Sequence, residues 1–253
     1  MSKKTSEKKH WDTYWQASKN LNDVYSNQGR IAANLEPYVD VADLKVLEVG
    51  AGTGRDSEEI AMRGGIVFTL DYSEEALNLM HDSLSATAGI ICGDAKQIPI
   101  ATETVDIVFH QGLLEHFRDP ETLIDENRRI LKKNGILLVD VPQRFHYYTL
   151  LKHMLMLVGK WFAGWETEFS PAALRRLVES RGFEVIGFYG ENLFPPIWYR
   201  GMRRILLGFG IKLSMHPKEL RITRWLRQTC KRALPRSVIL NSSMIIGCIA
   251  RKN

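Results

Sequence analysis

The residues best suited to chemistry are three glycines at alternate positions, directly after a short apolar run. Gly50, Gly52 and Gly54 follow the run 44–49 and precede a polar segment that starts at Arg55. Glycines between a strand and a helix tolerate positive φ and let the backbone approach a bound molecule closely. The first N–H groups of the following helix have no partner inside the helix and can bind such a molecule. The spacing therefore predicts a pocket for a nucleotide-like ligand.

Two acidic side chains occupy corresponding positions farther along the chain. Asp71 ends the apolar run 66–71, and Asp94 ends the run 89–94. A carboxylate at the end of a strand can accept hydrogen bonds from both hydroxyls of a ribose. Simpler interpretations are a helix N-cap for Asp71 and a turn residue for Asp94.

Histidine offers a second kind of chemistry near the same positions. His110 lies in the apolar run 105–112, and His116 follows with Glu115 beside it. Because histidine titrates near neutral pH, it is the most suitable base for a hydroxyl, an amine or an acidic carbon. Each histidine also has a structural interpretation, His110 as a buried scaffold residue and His116 as a cap of the next segment.

These side chains need a scaffold that brings the ends of several strands together. Apolar runs predict strands over 44–49, 66–71, 89–94, 105–112, 136–142, 183–190 and 243–252. Helices are predicted between the first five strands, and nearly continuous apolar strands in such an alternation indicate an α/β fold with a parallel sheet covered on both faces. Ligands bind such sheets beyond the carboxyl ends of the strands, where the glycines, acids and histidines fall.

Helix signals stand between these strands. Ser73 and Ser170 are suitable N-cap residues for two of the helices. A third helix is expected from Pro120 to about Lys133, where an Asn-Gly pair can end it. The aromatic segment 10–16 predicts a further helix, which either packs on the core or covers a ligand.

The composition indicates an ordinary globular protein. The 253 residues are 45% hydrophobic and 25% charged, so a single domain over 1–253 is expected. Three separated cysteines without a CxxC pair suggest neither a disulfide framework nor a zinc site and favour a reducing compartment. The charged start lacks a signal-peptide pattern, and there is no apolar run of 18 residues. We expect a cytoplasmic protein, with a peripheral location at the inner face of the membrane as a second expectation.

Four segments are distinguished within the predicted domain. They are a disordered tail over 1–9, a helical cap over 10–43, an apolar insertion over 143–166 and a basic helical insertion over 191–240.

The order of these motifs resembles the class I S-adenosylmethionine-dependent methyltransferases, in particular the type 11-like branch that acts on small molecules and lipids. The matching residues are Glu48-Val-Gly50-Ala-Gly52-Thr-Gly54, Asp71, Gly93-Asp94-Ala95, Leu114-Glu115-His116 and the helix from Ser170 that leads into GFEVIGF. The resemblance covers about 46–189. It implies a Rossmann-like, seven-stranded, mostly parallel sheet of order 3-2-1-4-5-7-6 with strand 7 antiparallel, and S-adenosyl-L-methionine as the cofactor.

The resemblance also implies roles for single residues. The glycine loop would hold the methionine part of the cofactor above Glu48, Asp71 would bind the ribose, and Asp94 would accept from the adenine amino group. The cofactor-binding candidates are Glu48, Gly50, Ala51, Gly52, Gly54, Asp71, Tyr72, Asp94, Ala95 and Gln111. The catalytic candidates are His116, His110 and Glu115.

Two rival chemistries fit the motifs less well. The GxGxxG pattern of nicotinamide dehydrogenases would need glycine at position 55, which is Arg55. Some relatives bind magnesium through ExxEH, but the first position of that pattern is Gly112, so no catalytic metal is expected.

The two insertions bear on the methyl acceptor. The apolar insertion is either a packed lid helix or a contact for a lipophilic acceptor or a membrane. Residues 194–236 hold eleven Lys or Arg and one acid, a net +10, within a chain of net +5. Basic and aromatic residues together suit an anionic membrane surface or a nucleic acid, and a solvated basic face is the simpler alternative.

We favour the membrane, because the apolar residues are large and aliphatic, and we expect no nucleic acid partner. The favoured hypothesis is methyl transfer to a small lipophilic acceptor such as a quinone precursor or a lipid. A soluble metabolite, an RNA or protein acceptor, and a non-catalytic cofactor-binding role stay as alternatives. The oligomeric state stays open.

Overall fold

The structure is a computed structural model. It describes residues 8–16, 29–84, 89–159, 166–223, 225, 229 and 233–253. Parts of four predicted segments lie outside the described residues: 1–7 of the tail, 17–28 of the helical cap, 160–165 of the apolar insertion, and 224, 226–228 and 230–232 of the basic insertion.

The described residues form a sheet of seven strands. They are β1 Lys45–Val49, β2 Ile66–Asp71, β3 Gly89–Cys92, β4 Val105–Gln111, β5 Leu131–Pro142, β6 Phe183–Glu191 and β7 Ile245–Lys252. The strand order is β3-β2-β1-β4-β5-β7-β6. All neighbouring pairs are parallel except the pairs of β7 with β5 and with β6, which are antiparallel. The predicted fold class, strand order and antiparallel last strand are confirmed.

Helices cover both faces of this sheet. They are α1 Lys8–Gln16, α2 Arg30–Leu35, α3 Arg55–Met62, α4 Glu74–Ser83, α5 Pro120–Ile130, α6 Tyr147–Leu157, α7 Pro171–Ser180, α8 Ile197–Gly208 and α9 Arg236–Ser242. Successive strand residues point to opposite faces, so Val46 belongs to the apolar cluster that includes α2 and α3, while Leu47 belongs to the cluster that includes α5 and α7. The nearly continuous apolar strands are explained by this burial on both sides.

The predicted N-caps of two helices are confirmed, but the predicted end of α5 is wrong. Ala76 N donates to Ser73 Oγ at 3.4 Å, and Ala173 N donates to Ser170 Oγ at 3.2 Å. However, α5 ends at Ile130 and not near Lys133. Leu131 already pairs with Val105 in the sheet and is fully buried, so tertiary packing stops the helix early.

The N-terminal cap is held against the start of α4. Helix α1 begins at Lys8, so the last two residues of the predicted tail are helical. Lys8 Nζ donates to Glu74 Oε1 at 2.6 Å, and Ser73 Oγ donates to Asp12 Oδ1 at 2.6 Å. These contacts place the aromatic side chains of α1 over the carboxyl ends of β1 and β2.

Helix α6, in the apolar insertion, buries polar residues and exposes apolar ones. Its buried residues are Thr149 and Lys152. Lys152 Nζ lies 3.0 Å from Glu166 Oε2 and 2.9 Å from Glu168 Oε1. Its exposed side carries large apolar residues, of which Leu157 is 86% exposed. Among the described residues, no helix is long and apolar enough to cross a membrane.

Candidate active site

A cavity of about 670 Å³ lies at the carboxyl ends of β1, β2, β4 and β5, under helix α1. Its volume is in the range of small-molecule and cofactor sites. The predicted site residues that line it are Glu48, Gly50, Ala51, Gly52, Asp71, Tyr72, Asp94, Ala95, Gln111, Glu115 and His116. Gly54 and His110 are not among the lining residues. Residues that are distant in sequence therefore meet at one edge of the sheet.

The glycine loop has the backbone geometry that its spacing predicts. Gly50, Gly52 and Gly54 all have positive φ, at 66°, 54° and 66°. A Cβ on Gly52 would lie 2.5 Å from Cζ2 of Trp15, and a Cβ on Gly50 would lie 2.8 Å from a methyl of Leu113. Gly54 instead serves as the N-cap of α3. The loop thus has no room for side chains at these positions.

Glu48 supports the loop from below. Its Oε2 accepts from Ser57 Oγ at 2.5 Å and from Ser57 N at 3.2 Å, which fixes the first turn of α3. Burial, with the nearby Asp56 carboxylate adding to it, raises the pKa of Glu48 to about 8. The side chain is therefore protonated at neutral pH.

Asp71 joins the loop to the end of β2. Its Oδ2 accepts from Gly52 N at 2.9 Å, and its Oδ1 accepts from Ser73 N at 2.9 Å. Burial raises the pKa of Asp71 although these backbone bonds oppose the shift. The N-cap of α4 is Ser73, so Asp71 is not needed for that purpose. Asp94 is exposed and accepts from Lys96 N at 2.9 Å, which also fits its interpretation as a turn residue.

The two candidate histidines differ in their access to the cavity. His110 is fully buried, its ring nitrogens have no hydrogen-bond partner among the described residues, and burial lowers its pKa to about 3. A base must reach the acceptor, so this placement favours the scaffold interpretation of His110, and its catalytic role stays a prediction. His116 lines the cavity and meets Trp11 edge-on, with 4.9 Å between ring centroids.

Glu115 lies in the cavity wall as a buried carboxyl. Its Oε2 has no hydrogen-bond partner among the described residues. Burial, with the charge of Glu166 adding to it, raises the pKa of Glu115 well above its usual range. Burial thus favours the protonated form of this carboxyl, which can donate a hydrogen bond.

A buried network of charged and polar side chains, which the sequence did not indicate, lies at the cavity floor. Arg30 Nε lies 3.3 Å from Asp140 Oδ2, and Tyr189 donates to the same oxygen at 2.7 Å. Arg30 Nη2 also donates to Gln111 Oε1, and Gln111 Nε2 donates to Asp56 Oδ2 at 2.7 Å. Burial raises the pKa of Asp140 to about 6 although Arg30 opposes the shift.

Arg30 keeps one donor for a ligand. It lines the cavity, and its Nη1 has no hydrogen-bond partner among the described residues. A guanidinium in this position can bind a carboxylate. In the sequence, Arg30 is marked only by its place within the predicted helical cap 10–43, which says nothing about ligands.

Comparisons with known proteins agree with this geometry. A family model described as a methyltransferase domain matches residues 47–139. The chain is 26% identical over 176 residues to the ubiquinone biosynthesis O-methyltransferase of Glaesserella parasuis serovar 5 (strain SH0165), which is 61% of this chain and 72% of that protein. It is 30% identical over 191 residues to the chloroplastic 2-methyl-6-phytyl-1,4-hydroquinone methyltransferase 1 of Oryza sativa subsp. japonica, which is 71% of this chain and 53% of that protein.

A shorter match is to the biotin biosynthesis bifunctional protein BioHC of Cellvibrio japonicus (strain Ueda107). There the chain is 27% identical over 125 residues, 49% of this chain, and spans only 25% of that protein. A solved structure of a methyltransferase from Thermotoga maritima, described as a possible histamine N-methyltransferase, has a TM-score of 0.58 at 20% identity over 87% of this chain and 86% of that chain. The matched domain and the relatives identify residues 47–139 as an S-adenosylmethionine-dependent methyltransferase domain, and the solved structure shares its fold.

Proposed function

We propose that the chain transfers the methyl group of S-adenosylmethionine to a nucleophilic atom of a lipophilic acceptor, such as a prenylated quinone precursor, at the surface of an anionic bilayer. The observation that carries this proposal is the apolar face that α6 exposes. Two of the relatives are named for ubiquinone biosynthesis and for a phytyl hydroquinone, which supports an acceptor of this class.

The cavity fits the cofactor in shape and in charge. Gly50 and Gly52 of the glycine loop line the cavity, and a Cβ at either position would collide with Leu113 or Trp15. Asp71 would accept from the ribose hydroxyls at the end of β2, and Arg30 Nη1 would bind the carboxylate of the methionine part. Tyr72, Asp94 and Ala95 line the side of the cavity where the adenine would lie.

The chemistry that the bound cofactor supplies is an in-line displacement at its methyl carbon. The main task of the chain is therefore alignment, for which good geometry contributes roughly 7–11 kcal/mol. Helix α1 lines the cavity with Trp11, Tyr14 and Trp15, which would help to exclude water from the bound cofactor. His116 would remove the proton of the acceptor, and Glu115, whose pKa is raised by burial, would form a hydrogen bond with the acceptor.

The exposed face of α6 supports a lipid-like partner. The apolar residues on this face are Tyr147, Leu150, Leu151, Met154 and Leu157, with Phe145 and Val158 next to the helix. The polar residues Thr149 and Lys152 point inward instead. Contiguous exposed apolar residues are typical of interaction surfaces, and the ion pairs of Lys152 hold this helix with its apolar side outward.

Helix α8 supports an anionic bilayer in particular. Trp198, Ile205 and Leu207 are exposed on it, and Arg204 is exposed among them. Apolar side chains with interleaved cations are typical of helices that lie in the interface of an anionic membrane. The helix is part of the basic stretch 194–236, whose net charge is +10.

The test is the transfer of labelled methyl groups into a fractionated cell extract. Purified protein and S-adenosylmethionine labelled in the methyl group are incubated with membranes and with cytosol, and the products are extracted with organic solvent. We expect the label in a small lipid in the organic phase. Label only in soluble small molecules, RNA or protein would refute the lipophilic acceptor. Asp71→Ala is the negative control, because it removes the carboxylate proposed for ribose binding.

A further inference from the structure

A second cavity, of about 550 Å³, lies between the first residues of α6 and of α8 and the last residues of α9. Phe145 and Tyr147 line it from α6 and the residues before it, and Ile197 and Trp198 line it from α8. Ser242, the last residue of α9, closes a third side. The volume is sufficient for a small-molecule ligand.

This second cavity adjoins the cofactor cavity. Leu193 and Met244 line both of them. Leu193 is half-buried and Met244 is buried, so the two side chains form a shared apolar wall. A ligand with two chemically different ends could therefore place one end in each cavity.

The lining of the second cavity contains no Asp, Glu, Lys or Arg among the described residues. Its titratable side chains are His146 and Tyr147, and burial lowers the pKa of His146, which favours the neutral ring. Asn192 Oδ1 accepts from Met244 N at 3.0 Å, and Asn241 Nδ2 donates to Ser237 O at 2.8 Å, so one polar atom of each amide already has a partner within the protein. The cofactor cavity, in contrast, contains Arg30 and several carboxyls. The second cavity thus suits an uncharged, apolar group.

The mouth of the second cavity opens at the surface that we assign to the bilayer. Phe145, Tyr147 and Trp198 line it and are all more than 60% exposed. They continue the apolar faces of α6 and α8. A group that leaves a bilayer at this surface would enter the second cavity without crossing water.

We propose that the second cavity holds the apolar tail of the acceptor lipid while its reactive head lies in the cofactor cavity. This inference rests on the proposed function and adds the site of tail recognition. Affinity for the acceptor should then depend on tail length, because each buried methylene contributes about a fourfold gain.

The test uses 4-alkylcatechols from methyl to octyl, with binding measured by calorimetry in the presence of S-adenosylhomocysteine. We expect affinity to rise with chain length, by up to fourfold per methylene, in the unchanged protein. Ser242→Trp should fill the second cavity and remove this dependence. Ser237→Trp is the matched control, because Ser237 is exposed on the same helix and does not line the cavity.

Each result bears on the proposal in a defined way. A flat chain-length series, no binding of the octyl member, or an equal slope in Ser242→Trp and Ser237→Trp would overturn the assignment of the cavity. Affinity for S-adenosylhomocysteine shows that each variant is folded. If Ser242→Trp unfolds, Trp198→Ser should flatten the series instead. Label in the organic phase together with a flat series would refute the tail site alone, whereas label only in soluble products would refute the proposed function.

Discussion

The buried ion pairs of Lys152 hold α6 in its orientation, and their removal should destabilise the protein strongly. Lys152 is fully buried, and the carboxylates of Glu166 and Glu168 are 5% and 15% exposed. Removal of one partner of a buried pair leaves a charge without compensation, which costs about 3–5 kcal/mol. For a chain of this size, 1 kcal/mol corresponds to roughly 2–4 °C in Tm. We therefore expect Lys152→Met to lower Tm by roughly 6–20 °C.

The matched control is Lys132→Met. Lys132 Nζ lies 2.7 Å from Asp106 Oδ1, but its side chain is 44% exposed. An exposed pair contributes about 0–1 kcal/mol, so this variant should change Tm by a few degrees at most. The assay is thermal unfolding followed by circular dichroism, with urea unfolding as a second measure.

A triple variant isolates the charge from the packing. Lys152→Met together with Glu166→Gln and Glu168→Gln removes the buried charges as well, and such replacements are often close to neutral. We expect it to recover most of the stability lost in Lys152→Met. The reasoning fails if Lys152→Met costs no more than Lys132→Met, or if the triple variant is less stable than the single one.

Three further predictions concern the site, the surface and pH. His116→Ala should lower kcat by about 10²–10⁴-fold and spare cofactor binding, whereas His110→Phe should leave the pH profile of kcat unchanged, as measured by methyl transfer. Arg204→Glu should weaken binding to phosphatidylglycerol vesicles roughly 30-fold at low salt, at about 1 kcal/mol per charge, as measured by cosedimentation. Glu48 has a raised pKa in the folded state, so its contribution to stability is complete below about pH 4.5 and is lost as pH rises through about 8. Urea unfolding of Glu48→Gln should therefore show a smaller loss of stability between pH 5 and 8.

Each of these predictions has a result that contradicts it. A shifted pH profile in His110→Phe would return this histidine to the reaction. The control for Arg204→Glu is Lys133→Glu, which changes an exposed residue in β5 at the other end of the sheet. Equal vesicle binding by the two variants would refute the assignment of a membrane-binding surface to α8. An unchanged pH dependence in Glu48→Gln would mean that this carboxyl ionises normally.

The sheet could be predicted from the sequence because each strand carries its own evidence. A parallel strand buried on both faces is apolar at nearly every position, and its end is marked by a glycine or an acid, as at Gly50 and Asp71. These signals are local, so one sequence is enough to find them. The end of α5 could not be found in this way, because it depends on the pairing of Leu131 with Val105 across the sheet.

The buried network of charged and polar side chains in the cavity could not be predicted, because it depends on contacts between residues that are distant in sequence. Arg30 and Asp140 are ion-paired but lie in separate elements, and neither has a neighbour in sequence that suggests the pair. The same holds for His110, because the sequence gives its position in a strand but not whether the side chain faces the cavity or the core. Burial, which decides its pKa, is a property of the assembled fold.

Helix α6 demonstrates why composition alone does not distinguish a lid from an interaction surface. Its residues are mostly apolar, and the sequence is equally consistent with a helix that packs its apolar side on the core. In the fold, the side of the helix that carries Lys152 is inward, and Glu166 and Glu168 compensate the charge. If the helix served only stability, burial of its leucines and methionines would contribute more than burial of a lysine, which needs two carboxylates. The outward apolar side is therefore best explained by a partner, and our proposal that this partner is a lipid rests on that exposed side and on the adjoining second cavity.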